Sequence, residues 1–93
     1  MYASVRTYTG NRDLADTLAE RAAEIRQVIG GIDGFSAYHL LKTGEGTTSI
    51  SVFDDQAGAD ESNRAAAAWL AENLPDVNVA APQVTAGEVV LDF

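Results

Sequence analysis

Two short stretches hold most of the residues able to do chemistry. "YASVRTY" places Arg6 and Tyr8 two apart, and "FSAYHLLK" holds Tyr38 beside His39. A guanidinium can hold a phenolate, enolate or carboxylate oxygen. An imidazole or a phenol can move a proton. Arg6, Tyr8, Tyr38 and His39 are therefore the catalytic candidates. Ser49 and Ser51 in "TTSISVF" add two hydroxyls at strand spacing, so both face one side. No phosphate loop, dinucleotide fingerprint, serine elbow or paired-carboxylate constellation accompanies them. The glycines of "GEG" at 44–46 belong to a hairpin turn.

"FDDQAGADESNR" contains four acids: Asp54, Asp55, Asp60 and Glu61. It does not follow a calcium loop, because its glycine falls at the wrong offset and no Glu closes a twelve-residue loop. Acids at the start of a helix cap free N–H groups and complement the helix dipole, so the cluster predicts a helix start with Asp55 or Asp54 as N-cap. His39 is the only histidine and cysteine is absent, so one chain has no histidine-rich or thiolate metal site. Neither a metal nor a cofactor is expected.

Fourteen acids against six basic residues give a formal charge of −8 over 93 residues. Such a surface repels phosphate backbones and anionic lipid, which argues against nucleic-acid and membrane partners. No apolar run is long enough to span a bilayer, and no basic-then-apolar leader opens the chain, so the expected location is cytoplasmic. The length predicts one domain over residues 1–93, with one modest core.

The elements that must position these residues follow from periodicity. Tyr2 to Tyr8 alternates, with Ala3, Val5 and Thr7 on one face and Tyr2, Ser4, Arg6 and Tyr8 on the other. Asn11 is a candidate cap for a helix from Arg12 to about Ile29, whose stripe is Leu14, Leu18, Ala22, Ile25 and Ile29. Gly30 and Gly31 suggest a left-handed C-cap. Strands are expected at Phe35–Lys42 and Thr47–Phe53, joined by the "TGEG" hairpin. A second helix runs to Pro75, and a last strand spans Gln83–Phe93 with Gly87 as a bulge candidate.

The order β-α-β-β-α-β predicts a ferredoxin-like α+β fold, with a four-stranded antiparallel sheet and two helices on one face. A two-residue turn at Gly44 and Glu45 pairs His39 with Ile50 and Tyr38 with Ser51, whereas a longer turn would invert the faces, so the face of His39 stays open. Ile50 and Val52 read as helix-facing. Arg6, Tyr8, Tyr38, Leu40, Ser49 and Ser51 would lie on the uncovered face, and Val84, Ala86 and Val90 add apolar surface to it. A half-apolar open face calls for a partner, and the simplest is a second copy. Glu88 is the candidate ion-pair partner for Arg6.

With these stretches in place, the sequence resembles the dimeric α/β-barrel superfamily, the group of antibiotic biosynthesis monooxygenase-like domains. The resemblance is carried by "YASVRTY", "IDGFSAYHLL", "SISVFDDQAGADESNRAAAAWLAENL" and "VTAGEV". It implies a homodimer whose sheets meet face to face around a cavity. Some members of this superfamily oxidise aromatic polyketides with dioxygen and no cofactor, and others degrade haem. It also implies that Asn63 and Trp69 stand where some monooxygenases touch substrate, adding them to Arg6, Tyr8, Tyr38, Ser49 and Ser51 as substrate-binding candidates. Haem-degrading members use a histidine in the second helix region, and that helix has none here. Two classes of function follow. One is a cofactor-independent oxidation of a small aromatic or enolisable molecule in a dimer cavity. The other is a non-catalytic homodimeric module for small-ligand binding or assembly.

Overall fold

The structure is a computed structural model that describes residues 1–10, 13–75 and 81–93. The expected cap at Asn11 lies outside these residues. The elements are β1 (Tyr2–Thr9), α1 (Asp13–Glu20), α2 (Ala22–Gly30), β2 (Phe35–Lys42), β3 (Gly46–Phe53), α3 (Gln56–Asn73) and β4 (Gln83–Glu88). The strands form one antiparallel sheet in the order β2-β3-β1-β4, with the helices on one side. This is the ferredoxin-like arrangement.

The first helical run is broken where one helix was expected. Arg21 leaves helical geometry (φ −112°, ψ 30°), and its N–H reaches back to the Leu18 carbonyl at 3.0 Å. Its guanidinium sits 4.9 Å from the Trp69 ring, bonds both Glu24 carboxylate oxygens, and reaches the side chain of Asn73. The break thus ties α1–α2 to α3. Gly31 is right-handed (φ −83°), so the expected left-handed cap is not there. Gly34 (φ 82°) makes that turn instead, just before β2.

Asp55 is the N-cap of α3: its backbone is extended and Oδ1 accepts from the Gly58 N–H at 3.2 Å. The hairpin closes with Thr43 N–H to the Gly46 carbonyl at 2.9 Å. The last strand ends at Glu88 rather than at Phe93, and Gly87 pairs with Ala3 in unbroken register. The sheet's irregularity lies between Phe35 and Ala37.

Two buried clusters fill the space between the layers. Leu14 and Leu18, one turn apart on α1, meet Tyr8 and Trp69. Ile29, Phe53 and Ala59 form the other, with Ile25 and Val28 packed against both. The layers close tightly at Gly58, where a β-carbon would lie 2.8 Å from the Phe53 ring.

The sheet presents the opposite faces from those expected. Ser4, Arg6 and Tyr8 of β1 and Ser49, Ser51 and Phe53 of β3 are buried beneath the helices. Tyr38 and Leu40 share that face, by their pairing with Ser51 and Ser49. Ala3, Val5, Thr7, Ile50 and Val52 therefore form the open face, with His39 beside Ile50. Val84 and Ala86 pair with Arg6 and Ser4, so they too belong to the helix side. Val90 lies beyond the strand. Alternation separates the two sets but does not say which turns inward. The polar set turns inward because α3 offers it partners.

Candidate functional site

Those partners surround Arg6, which is 2% exposed. Arg6 Nη1 donates to Asn63 Oδ1 at 2.8 Å and to Ser62 Oγ at 3.2 Å, and Nη2 donates to Ser51 Oγ at 2.9 Å. Ser4 Oγ donates to the same Asn63 oxygen at 2.8 Å. Ser62 in turn donates to the Ala59 carbonyl at 2.6 Å. Every acceptor around the guanidinium among the described residues is neutral. Among the described residues no carboxylate forms an ion pair with Arg6. Glu88, the expected partner, pairs in register with Tyr2 at the exposed edge strand. Arg6 Nε is buried with no hydrogen-bond partner among the described residues. A buried cation with only neutral partners carries a large unmet attraction for an anion.

Tyr8 and Tyr38 stand beside this charge. Burial pushes both phenols above their ordinary value, and the Arg6 charge acts in the other direction without reversing it. At neutral pH both are un-ionised, and so they can donate hydrogen bonds. Arg6, Tyr8, Tyr38 and Ser49, with Trp69, wall an inner cavity of about 30 Å³. That is room for about one water molecule. Leu18, Ile25, Ile29 and Tyr38 also wall a cleft of about 750 Å³ between α1–α2 and the edge strand β2. This volume lies in the range of small-molecule pockets, roughly 300–1,000 Å³. Its walls are mainly Ala and aliphatic side chains, with Asp16, Arg26 and Lys42 as the charged residues.

Most of the sequence candidates therefore come together. Arg6, Tyr8, Tyr38, Ser49 and Trp69 line the inner cavity, and Ser51 and Asn63 hold Arg6. They meet between sheet and helices, not on the open sheet face. His39 does not join them: it is exposed on the opposite face. Ser4 and Ser62 were not singled out from the sequence. Ser4 was legible as a same-face neighbour of Arg6, whereas Ser62 becomes visible only once α3 lies over β1. No group of acids and histidines among the described residues can hold a metal ion. The acids Asp54, Asp55 and Glu61 border a separate depression outside this site.

The same geometry bears on porphyrins. The only imidazole faces away from the cleft, so an iron porphyrin there would meet phenols and no histidine. The cleft does not fit a histidine-ligated haem.

No protein-family model matches the sequence, and no curated protein matches it. Solved structures do share its fold. The heme-degrader MhuD from Mycobacterium tuberculosis, with two hemes bound in its active site, is similar at 18% identity and TM-score 0.72, over 100% of this chain and 99% of that one. A protein of unknown function from Nitrosomonas europaea is similar at 23% identity and TM-score 0.68, over 99% and 90%. A candidate antibiotic biosynthesis monooxygenase from Deinococcus radiodurans is similar at 19% and 0.65, over 100% and 96%. The chain thus shares the fold of these proteins. At these identities the likeness speaks to architecture, and chemistry must be argued from the site. No helix is long and apolar enough to cross a membrane among the described residues.

Proposed function

We propose that this protein binds a small, planar aromatic or enolisable molecule as its anion, in the cleft between the sheet and α1–α2. The observation that carries this reading is Arg6: a guanidinium 2% exposed, beside two un-ionised phenols and with no carboxylate paired to it among the described residues. An anionic oxygen is the partner such a cation lacks, and the phenols are donors to the same oxygen. The aliphatic walls suit a flat apolar body. The solved relatives support the reading to the extent that one of them holds a flat ring system in its active site.

The reaction this would serve is a monooxygenase-like oxidation. The bound phenolate or enolate supplies two electrons and forms a carbon–oxygen bond with dioxygen. A phenol of the site gives its proton to the peroxide so formed; the resulting phenolate then takes the proton on the oxidised carbon as the O–O bond breaks, which leaves a carbonyl, releases hydroxide and restores the phenol. The cleft offers no ready base, since both phenols hold their protons and His39 lies on the other face. This favours ligands acidic enough to arrive ionised, or to ionise against Arg6. It also sustains the second reading, a binding module without catalysis.

A partner copy completes the proposal. The open sheet face carries Ala3, Val5, Ile50 and Val52, an apolar stripe that the helices leave uncovered. A homodimer through this face would bury it, on the side away from the Arg6 site.

The test uses 2-naphthol, whose absorbance reports its ionisation. Bound to the protein, it is expected to ionise at lower pH than in water, and Arg6→Met is expected to abolish that shift while the fold is retained. An unshifted titration with wild-type protein would count against an anion site. Consumption of dioxygen with an enolisable polyphenol would then separate the enzyme from the binding module.

A further inference from the structure

Six basic residues serve an acidic chain, and their uses differ. Arg21, Lys42 and Arg64 are each committed to a carboxylate: Glu24, Asp16 and Glu61 respectively. Arg12 lies outside the described residues. Arg6 and Arg26 remain, and among the described residues neither has an ion pair. Arg6 lines the inner cavity and Arg26 the outer cleft, and the two spaces share Leu18, Ile25, Ile29 and Tyr38 as walls.

The helical repeat explains where Arg26 stands. Ala22, Arg26 and Gly30 are spaced by four along α2 and all line the cleft. Ile25 and Ile29 line both the cleft and the inner cavity, so they form its deeper wall. Arg26 is exposed, at the solvent side of that wall. Opposite it, Lys42 of β2 is neutralised by Asp16 of α1 at 2.8 Å. Arg26 is thus the cleft's uncommitted outer cation. In a protein of charge −8, an anion approaching the cleft is repelled by the chain as a whole. A free cation at the entrance reverses that locally.

We propose that Arg26 is a second anion-holding residue, and that the ligand is a flat molecule with acidic groups at two ends. One is a phenol or enol oxygen that reaches Arg6; the other is a carboxylate that stays at Arg26. The apolar body between them lies against Leu18, Ile25, Ile29 and Leu40. This rests on the anion reading of the Arg6 site and adds the outer half of the ligand.

The experiment compares two fluorescent probes at neutral pH: 6-hydroxy-2-naphthoate, with a phenol and a carboxylate at opposite ends, and 2-naphthol, which lacks the carboxylate. Wild-type protein is expected to prefer the naphthoate by about five- to tenfold, the scale of one charge-assisted contact at a partly exposed position. Arg26→Gln is expected to bring that ratio to about one, and Arg26→Lys to keep most of it. Added salt is expected to shrink the preference, since the outer contact is open to solvent. A ratio near one in wild type, or a ratio that Arg26→Gln leaves intact, overturns the Arg26 assignment while leaving the Arg6 reading standing. Equal weakening of both probes by Arg26→Gln also overturns it, as a packing role would do that. Failure of both probes to bind wild-type protein defeats the Arg6 reading itself.

Discussion

Arg6 and Asn63 meet through a 2.8 Å hydrogen bond that joins β1 to α3, and the acceptor is an amide oxygen where a carboxylate would fit. One substitution supplies that carboxylate. Asn63→Asp would pair the buried guanidinium within the chain and remove its attraction for an external anion. Desolvating the new charge offsets much of the pair's Coulomb energy, so stability is expected to stay within about 2 kcal/mol of wild type. Binding of 2-naphtholate is expected to fall by at least about tenfold, the loss of one charge-assisted contact. Urea unfolding and probe titration on the same samples check both halves. Unchanged binding would show that Arg6 does not hold the ligand.

The phenols give a pH dependence with a definite sign. Burial raises Tyr8 and Tyr38 above the ordinary 10.0, so the folded state holds their protons more tightly than the unfolded chain does. Their contribution is fully present below pH 10.0 and is lost as pH rises from there through the folded values. Thermal stability is therefore expected to decline on the alkaline side of that value. In Tyr8→Phe or Tyr38→Phe the decline should be shallower. Melting temperatures in steps between about pH 8 and 11 make the comparison. An identical slope in the double variant would remove the phenols as its cause.

Much of this arrangement is legible in the sequence because local chemistry decides it. Asp55 caps α3 because its carboxylate sits three residues ahead of the Gly58 N–H. His39 pairs with Ile50 because a tight hairpin leaves one register for two strands of this length. The strand that carries Arg6 was likewise plain, as was the company of Tyr8, Tyr38, Ser49 and Ser51. What the sequence could not decide is which way that set turns. A strand with Ser, Arg and Tyr on one face and Ala, Val and Thr on the other looks amphipathic with its aliphatic side inward. Here α3 carries Ser62 and Asn63, at helix positions that meet β1 only after the chain has crossed over. Their hydrogen bonds satisfy the polar face, so burial of the aliphatic face is left to another surface. The break at Arg21 was hidden for the same reason: Trp69 and Asn73, which hold it, are some fifty residues away.

Gly58 offers a test of how tightly α3 is seated. A β-carbon there would lie 2.8 Å from Phe53 Cδ1 and 2.9 Å from its Cβ and Cγ, and Phe53 is fully buried. Ala is the better helix former by about 1 kcal/mol. Overpacking a closed contact costs about 1–3 kcal/mol. The contact should prevail, because the ring is also held edge-on by Phe35 at 5.8 Å. Gly58→Ala is therefore expected to lower stability in chemical denaturation. A more stable variant would show that α3 lifts easily from β3.

Ile50 tests the open face. It lies mid-strand between Val5 and His39, half-buried by its own sheet and uncovered by any helix. If the chain remains a monomer, Ile50→Lys puts an ammonium group into water and changes little beyond strand propensity, about 1 kcal/mol at most. If two copies meet through this face, the same charge is buried without a partner, and association is expected to weaken by about 2–5 kcal/mol. Light scattering on wild-type protein should then report twice 9.8 kDa at micromolar concentration, and Ile50→Lys should move the mass toward that of one chain. Probe binding by the monomeric variant should persist, because Arg6 and its partners Ser51, Ser62 and Asn63 lie on the helix side of the sheet, away from the face that carries Ile50. A wild-type monomer, or a dimer indifferent to Ile50→Lys, would mean that the aliphatic stripe of β1 and β3 is not the interface.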